Sequence, residues 1–178
     1  TTEGANRPAP GLTVHAGRGT TWVGALNPAG DPSVEWVAQQ LASSGLMVHP
    51  EHDILARLWQ KLVINAGINA FTAILDCPNG EILTQPFYLQ WIAPLCEEIS
   101  RLLPAAGQPQ QPPENLRETI EAVARKTAAN TSSMRADVKA GRTTEIDFIN
   151  GYLARLGHQH GIPVQVNQML AEQVQQLN

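Results

Sequence analysis

The rhythm of apolar and polar positions changes near residue 52. Before it, short β-type runs at Leu12–His15 and Thr20–Val23 are separated by Gly17 and Gly19, which predicts two or three short strands in a hairpin-like array. Asp31, Pro32 and Ser33 then supply a helix start with proline in the first turn. Val34, Val37, Ala38 and Leu41 recur at helical spacing, Gly45 closes that helix, and Leu46–His49 reads as one more short strand. From about His52 onward the spacing is helical. One long segment is predicted over Asp53–Ala73, followed by a turn at Cys77–Gly80 and a second helix over Phe87–Leu103 that closes near Gly107. After a Pro/Gln linker at 108–113, further helices are expected at 114–129, 133–139, 145–157 and 166–177. Strands first and helices afterwards predict a β appendage leading into an all-α domain. The expected division is residues 1–50 and residues 51–178.

Bulk properties narrow the function classes. The 178 residues fit one domain, or one domain with an appendage. With 12 Lys plus Arg against 16 Asp plus Glu, the formal charge of -4 argues against a nucleic-acid binder, which carries a basic stripe. No apolar run approaches the roughly 18–20 residues that span a bilayer, and the first residues lack the apolar stretch of a signal peptide. No membrane association is expected. Cys77 and Cys96 have no CxxC partner and no ligand-spaced histidine, so the expectation is two buried reduced thiols, no metal and a cytoplasmic location. The four tryptophans, Trp22, Trp36, Trp59 and Trp91, are scattered and predict core or cleft-wall packing. His158 and His160 sit near a helix end, where solvated or capping roles are expected.

Candidate chemistry begins with Lys61, Asn65 and Asn69, spaced four apart. On a helix that spacing drifts by only about 40° per step, so the three lie along one stripe. Leu62, Val63, Ile64 and Ile68 cover most of the remaining surface, and a helix this apolar is buried, so the stripe is expected to face a cleft. A lysine there can donate to a carbonyl oxygen, and two amides can orient a small polyfunctional substrate. Gly67 inside the helix costs about 1 kcal/mol relative to alanine, which predicts a close contact or a bend. The bland alternative is a solvated stripe.

A second group is Ser132, Ser133 and Met134, followed by Gly141-Arg142-Thr143-Thr144-Glu145-Ile146-Asp147 and Ile149-Asn150-Gly151. Thr144 and Asp147 have the form of a capping box, with Glu145 in the first turn where the helix dipole favours an acid. Ser132 or Ser133 is a candidate N-cap. Arg142 suits either a phosphate or a structural salt bridge.

Read in order, the Lys61/Asn65/Asn69 helix, Trp59, the Cys77-Pro78-Asn79-Gly80-Glu81 turn, the Ser-Ser-Met step and the Thr144–Gly151 segment resemble the C-terminal domain of the ketopantoate reductase family. The opening, from Thr1–Ala5 through His15, Gly17, Gly19 and Gly24, is similar to the last strands of that family's nucleotide-binding domain. The resemblance implies a mainly α fold: an all-α domain of the 6-phosphogluconate-dehydrogenase-like type, preceded by short strands left from a Rossmann domain. It implies an NADPH-dependent reductase of ketopantoate (2-dehydropantoate) in pantothenate and coenzyme A synthesis. Lys61 then takes the catalytic role, donating to the keto oxygen. Asn65, Asn69, Asn79 and Ser133 take substrate-binding roles, while Glu145 and Ala5 lie beside the cofactor. For Asn79 a plain turn role is the alternative.

Two departures stand out. Gln165 occupies the place of a proline in the family's Gly-x-x-x-Pro motif, and no G-x-G-x-x-G follows a strand anywhere in the chain. The chain is therefore read as a fragment lacking most of the upstream Rossmann domain, inactive alone. Alternatives are a helical substrate-docking or homodimerisation module, and a reductase of another 2-keto acid.

Overall fold

The computed structural model describes residues 1–27 and 32–177. It divides into two compact units, Thr1–Leu58 and Trp59–Asn178, with the division falling inside a long helix.

In the first unit, β1 (Gly4–Ala9) and β2 (Leu12–Gly17) form an antiparallel hairpin in which Ala5 stands opposite His15. Glu3 ties down the loop beyond it: its Oε2 lies 2.6 Å from His15 Nε2 and accepts from the Gly19 backbone at 2.8 Å. The His15 hydrogen bond holds the Glu3 carboxyl below its ordinary value. β3 (Thr21–Val23) departs from the expected hairpin array. It pairs in parallel with β4 (Val48–Pro50), with α1 (Val34–Ala42) on the connection between them. The reason is connectivity, since a helix-bearing crossover brings a strand back parallel. The Asp31 part of the expected helix start lies outside the described residues. Along α1 only Val34 and Ala38 are buried, while Leu41 and Trp36 are exposed, so Trp36 is not a core residue of this chain.

The long helix α2 (Ile54–Ile74) is followed by a 3-10 turn (Glu81–Thr84), α3 (Pro86–Ala105), α4 (Pro113–Lys126), α5 (Ser133–Lys139), a second 3-10 turn (Ile146–Phe148), α6 (Asn150–His160) and α7 (Gln165–Gln175). The mainly α reading of the fold holds. α3 is the hub of the second unit, packing on α4, α6 and α7. Its Tyr88 meets Phe71 of α2 edge-on with ring centroids 4.9 Å apart, which joins α2 to the same core.

Gly67 has a packing explanation. A Cβ there would lie 2.6 and 2.7 Å from two carbons of the Ile120 side chain on α4. Gly67→Ala is expected to destabilise by about 1–3 kcal/mol through overpacking, which outweighs the gain of about 1 kcal/mol in helix propensity. Denaturant titrations of Gly67→Ala, Ile120→Ala and the double variant check this; the alanine at 67 should become harmless once Ile120 is truncated.

Both cysteines are free and buried, as expected. Burial raises the Cys77 thiol and pushes the Cys96 thiol up to about 12. A thiol reagent should therefore label neither at pH 7 in the native chain and both after denaturation.

The predicted helix over 145–157 is broken. Ile146–Phe148 forms a 3-10 turn and α6 restarts at Asn150, the junction being Ile149 at φ -109° and ψ -97°. The Asp147 carboxylate serves another partner than its own helix start, accepting from Gln175 Nε2 at 2.6 Å, while its carbonyl accepts from Arg155 at 2.8 Å. The Asp147 carboxylate thus also serves a long-range amide, which the local Thr144/Asp147 pattern does not show. Gly161, left-handed at φ 66°, closes α6, and His158 and His160 are exposed in its last turn. Among the described residues no helix is long and apolar enough to cross a membrane.

Candidate active site

The stripe on α2 runs from solvent into the core. Lys61 is exposed, Asn65 half-buried and Asn69 only 8% exposed. The helix is thus wet at the lysine end and dry at the second asparagine, a gradient that suits a charged donor at one end and amides shielded from water at the other.

The dry end is joined to the start of α5. Thr72 Oγ1 donates to the Asn69 carbonyl at 2.9 Å and lies 2.7 Å from Ser132 Oγ. Ser132 in turn accepts from the Arg135 backbone N–H at 3.1 Å, so it is the N-cap of α5. Its neighbour Ser133 is exposed at the first turn of that helix. The two serines divide the work: one holds the helix start on α2, the other is left accessible.

A second clamp lies one turn on. Asp76, just past the end of α2, sits in the left-handed region at φ 46°, which aspartate tolerates better than most residues. Its carboxylate accepts from Arg135 at 2.8 Å and lies 3.1 Å from Lys139 Nζ; its carbonyl accepts from Arg135 Nη2 at 3.0 Å. Arg135 first, then Lys139, holds this carboxyl below its ordinary 3.8. A depressed folded-state value contributes stability above the ordinary value and loses it as pH falls through the folded one. The thermal midpoint of the native chain should therefore exceed that of Asp76→Asn at pH 7, and the gap should close as pH falls from about 4 towards 2. A gap that stays constant with pH would show that the ion pairs contribute nothing.

Asn79 is 8% exposed in the turn after α2. Its backbone N–H donates to the Asn130 carbonyl at 3.0 Å, and its Nδ2 donates to Thr127 Oγ1 at 3.0 Å. Thr127 spends its own proton on the Val123 carbonyl at 2.8 Å, so it can only accept from Asn79. That fixes the amide with Oδ1 directed away from Thr127, buried and without a hydrogen-bond partner among the described residues.

Glu145 is exposed at the head of the second 3-10 turn. The segment that follows it is anchored on α2: Asn150 Nδ2 donates to the Ala66 carbonyl at 3.4 Å, and the Tyr152 and Trp59 rings lie 6.1 Å apart. Arg142 pairs with Asp137 at 2.8 Å, the structural alternative of the two considered for it. Among the described residues no group of three or more His, Cys, Asp or Glu side chains converges to hold a metal. Ala5 lies in β1 of the first unit.

Residues that the sequence did not single out complete the second unit. Glu98 of α3, 5% exposed, accepts from the backbone N–H groups of Val166 and Asn167 at 2.7 and 3.0 Å and from Asn167 Nδ2 at 2.8 Å. It caps α7 from a distance, where Gln165 and Val164 supply no side-chain cap. The available signal was a helix start without Ser, Thr, Asp or Asn at its N-cap.

Residues 53–178 match the family profile described as ketopantoate reductase PanE/ApbA C terminal. The chain is 39% identical over 174 residues to the 2-dehydropantoate 2-reductase of Shigella flexneri, covering 98% of this chain and 56% of that protein. Its fold matches the probable 2-dehydropantoate 2-reductase of Bacillus subtilis with a TM-score of 0.84 at 31% identity, over 100% of this chain and 59% of the other. It also matches D-mandelate dehydrogenase in its ternary structure with NADH and anilino(oxo)acetate, with a TM-score of 0.89 at 24% identity, over 98% of this chain and 57% of the other. The chain thus spans little more than half the length of the relatives it matches.

Proposed function

Because this chain belongs to the ketopantoate reductase family, we propose that it supplies the substrate-holding and proton-donating half of an NADPH-dependent 2-dehydropantoate 2-reductase. The observation that carries the reading is the α2 stripe, in which an exposed lysine leads through a half-buried to a buried asparagine. Lys61 donates to the keto oxygen as hydride reaches the carbon, so that its charge meets the alkoxide as it develops. Asn65, Asn69, Asn79 and Ser133 orient the substrate. Glu145 and Ala5 are the residues that would each contact the cofactor, which when bound would supply the hydride. Residues 1–50 are read as the end of a nucleotide-binding domain and residues 51–178 as the substrate domain. The chain lacks a glycine-rich loop of the G-x-G-x-x-G kind to seat a pyrophosphate on a helix N-terminus, and on this reading it is inactive alone.

A second reading, a reductase of a different 2-keto acid, draws on the fold shared with D-mandelate dehydrogenase. Both are tested by calorimetry on the bare chain and on a chimera that joins it to the upstream part of the Shigella flexneri relative. NADPH should bind only the chimera, and ketopantoate should then bind the cofactor-loaded form. Tight NADPH binding by the bare chain overturns the account of the cofactor site. A loaded chimera that binds another 2-keto acid and ignores ketopantoate favours the second reading.

A further inference from the structure

Three buried polar side chains run in a line through the second unit: Glu98 at 5% exposure, and Asn167 and Asn150 at 0%. Each fixes the next. Three N–H groups converge on the Glu98 carboxylate, at 2.7, 3.0 and 2.8 Å, so both its oxygens act as acceptors. The Asn167 amide must therefore turn its NH2 towards Glu98 and its Oδ1 away. That Oδ1 accepts from Asn150 Nδ2 at 3.2 Å. The Asn150 NH2 is thereby aimed as well, and it also donates to the Ala66 carbonyl at 3.4 Å. The amide orientations are not interchangeable, because reversing either one places donor against donor or acceptor against acceptor.

The line ends with an unbalanced group. Asn150 Oδ1 is buried and has no hydrogen-bond partner among the described residues. Apolar side chains of similar size would fill the same space without that penalty, so packing alone does not account for the arrangement. Its two ends are more informative. Ala66 lies on α2 between Asn65 and Gly67, within two turns of Lys61 and one of Asn69. Asn150 opens α6 directly after the turn headed by Glu145. The relay therefore joins the two segments, distant in sequence, that carry the lysine stripe and the acidic residue.

We propose that Asn150 and Asn167, oriented by Glu98, are positioning residues that fix α2 against the start of α6 and so set where Lys61 and Asn65 stand. The proposal rests on the functional reading above for its catalytic consequence, but its structural half is independent of it.

The test uses Asn150→Leu and Asn167→Leu, near-isosteric changes that keep the packing and remove the relay. In the chain itself, the Asn65 and Asn69 side-chain NH2 resonances and the amide exchange of residues 65–70 should change, with the methyl resonances of Leu95 and Ile99 unmoved. In the chimera, kcat with ketopantoate should fall by roughly 10²-fold, the scale of a displaced catalytic group, while KM for NADPH stays within about twofold. The double variant should be no worse than either single one, as for members of one network. Unchanged resonances at Asn65 and Asn69 overturn the proposal. So does a kcat loss that only tracks the unfolded fraction, and so do single losses that add. If the unmutated chimera does not reduce ketopantoate, the functional reading fails by itself, and the resonances alone decide the relay.

Discussion

Lys61→Ala in the chimera should lower turnover of ketopantoate by about 10²–10⁴-fold, the usual range for removing a positioned proton donor. The expectation follows from what the lysine is asked to do. Hydride addition to a keto carbon leaves a full negative charge on oxygen, and an ammonium group aimed at that oxygen stabilises the transition state more than the ground state. The loss should therefore appear in kcat as well as in kcat/KM, with KM for NADPH little changed. Asn69→Ala should behave differently. It removes an orienting amide near the dry end of the helix, so KM for ketopantoate should rise at least as much as kcat falls. Near-normal kinetics in Lys61→Ala would sink the assignment of the lysine as the proton donor.

Glu98→Ala should destabilise the second unit by at least about 3 kcal/mol. A hydrogen bond to a charged group contributes about 1.5–3 kcal/mol, and each buried donor left unsatisfied costs about 1–3 kcal/mol. Three donors lose their acceptor at once here: the Val166 and Asn167 backbone N–H groups and Asn167 Nδ2. Two of them belong to the first turn of α7, where a negative group also meets the helix dipole. For a chain of this length the thermal midpoint should drop by roughly 6–12 °C. Glu98→Gln, which keeps the shape and part of the acceptor capacity, should cost clearly less. Equal losses in the two variants would mean that volume, not hydrogen bonding, is what Glu98 supplies.

Much of the helical unit was legible because its signals are local. The helix expected at 133–139, with Ser132 or Ser133 as its candidate N-cap, has the observed bounds Ser133–Lys139 and is capped by Ser132. The α2 stripe needed only helical spacing, and Gly67 announced a close contact before Ile120 was known to be its partner. What stayed hidden depends on residues far apart. The parallel pairing of β3 with β4 is decided by a crossover. The local pattern predicts a continuous helix over 145–157, and shows neither the break at Ile149 nor the Asp147 partner 28 residues away. Glu98 looked like any surface carboxylate on α3, because the backbone N–H groups it caps lie 68 and 69 residues downstream. Which face of α1 is covered is likewise not legible locally: Val34 and Ala38 are buried and Trp36 is exposed.

The central claim is that this chain carries the substrate half of a ketopantoate-reducing site, and NADPH consumption by the chimera in the presence of ketopantoate tests it most directly. The account predicts consumption matched mole for mole by pantoate, abolished without ketopantoate, and absent from the bare chain. A folded chimera that binds NADPH and yet forms no pantoate would contradict it.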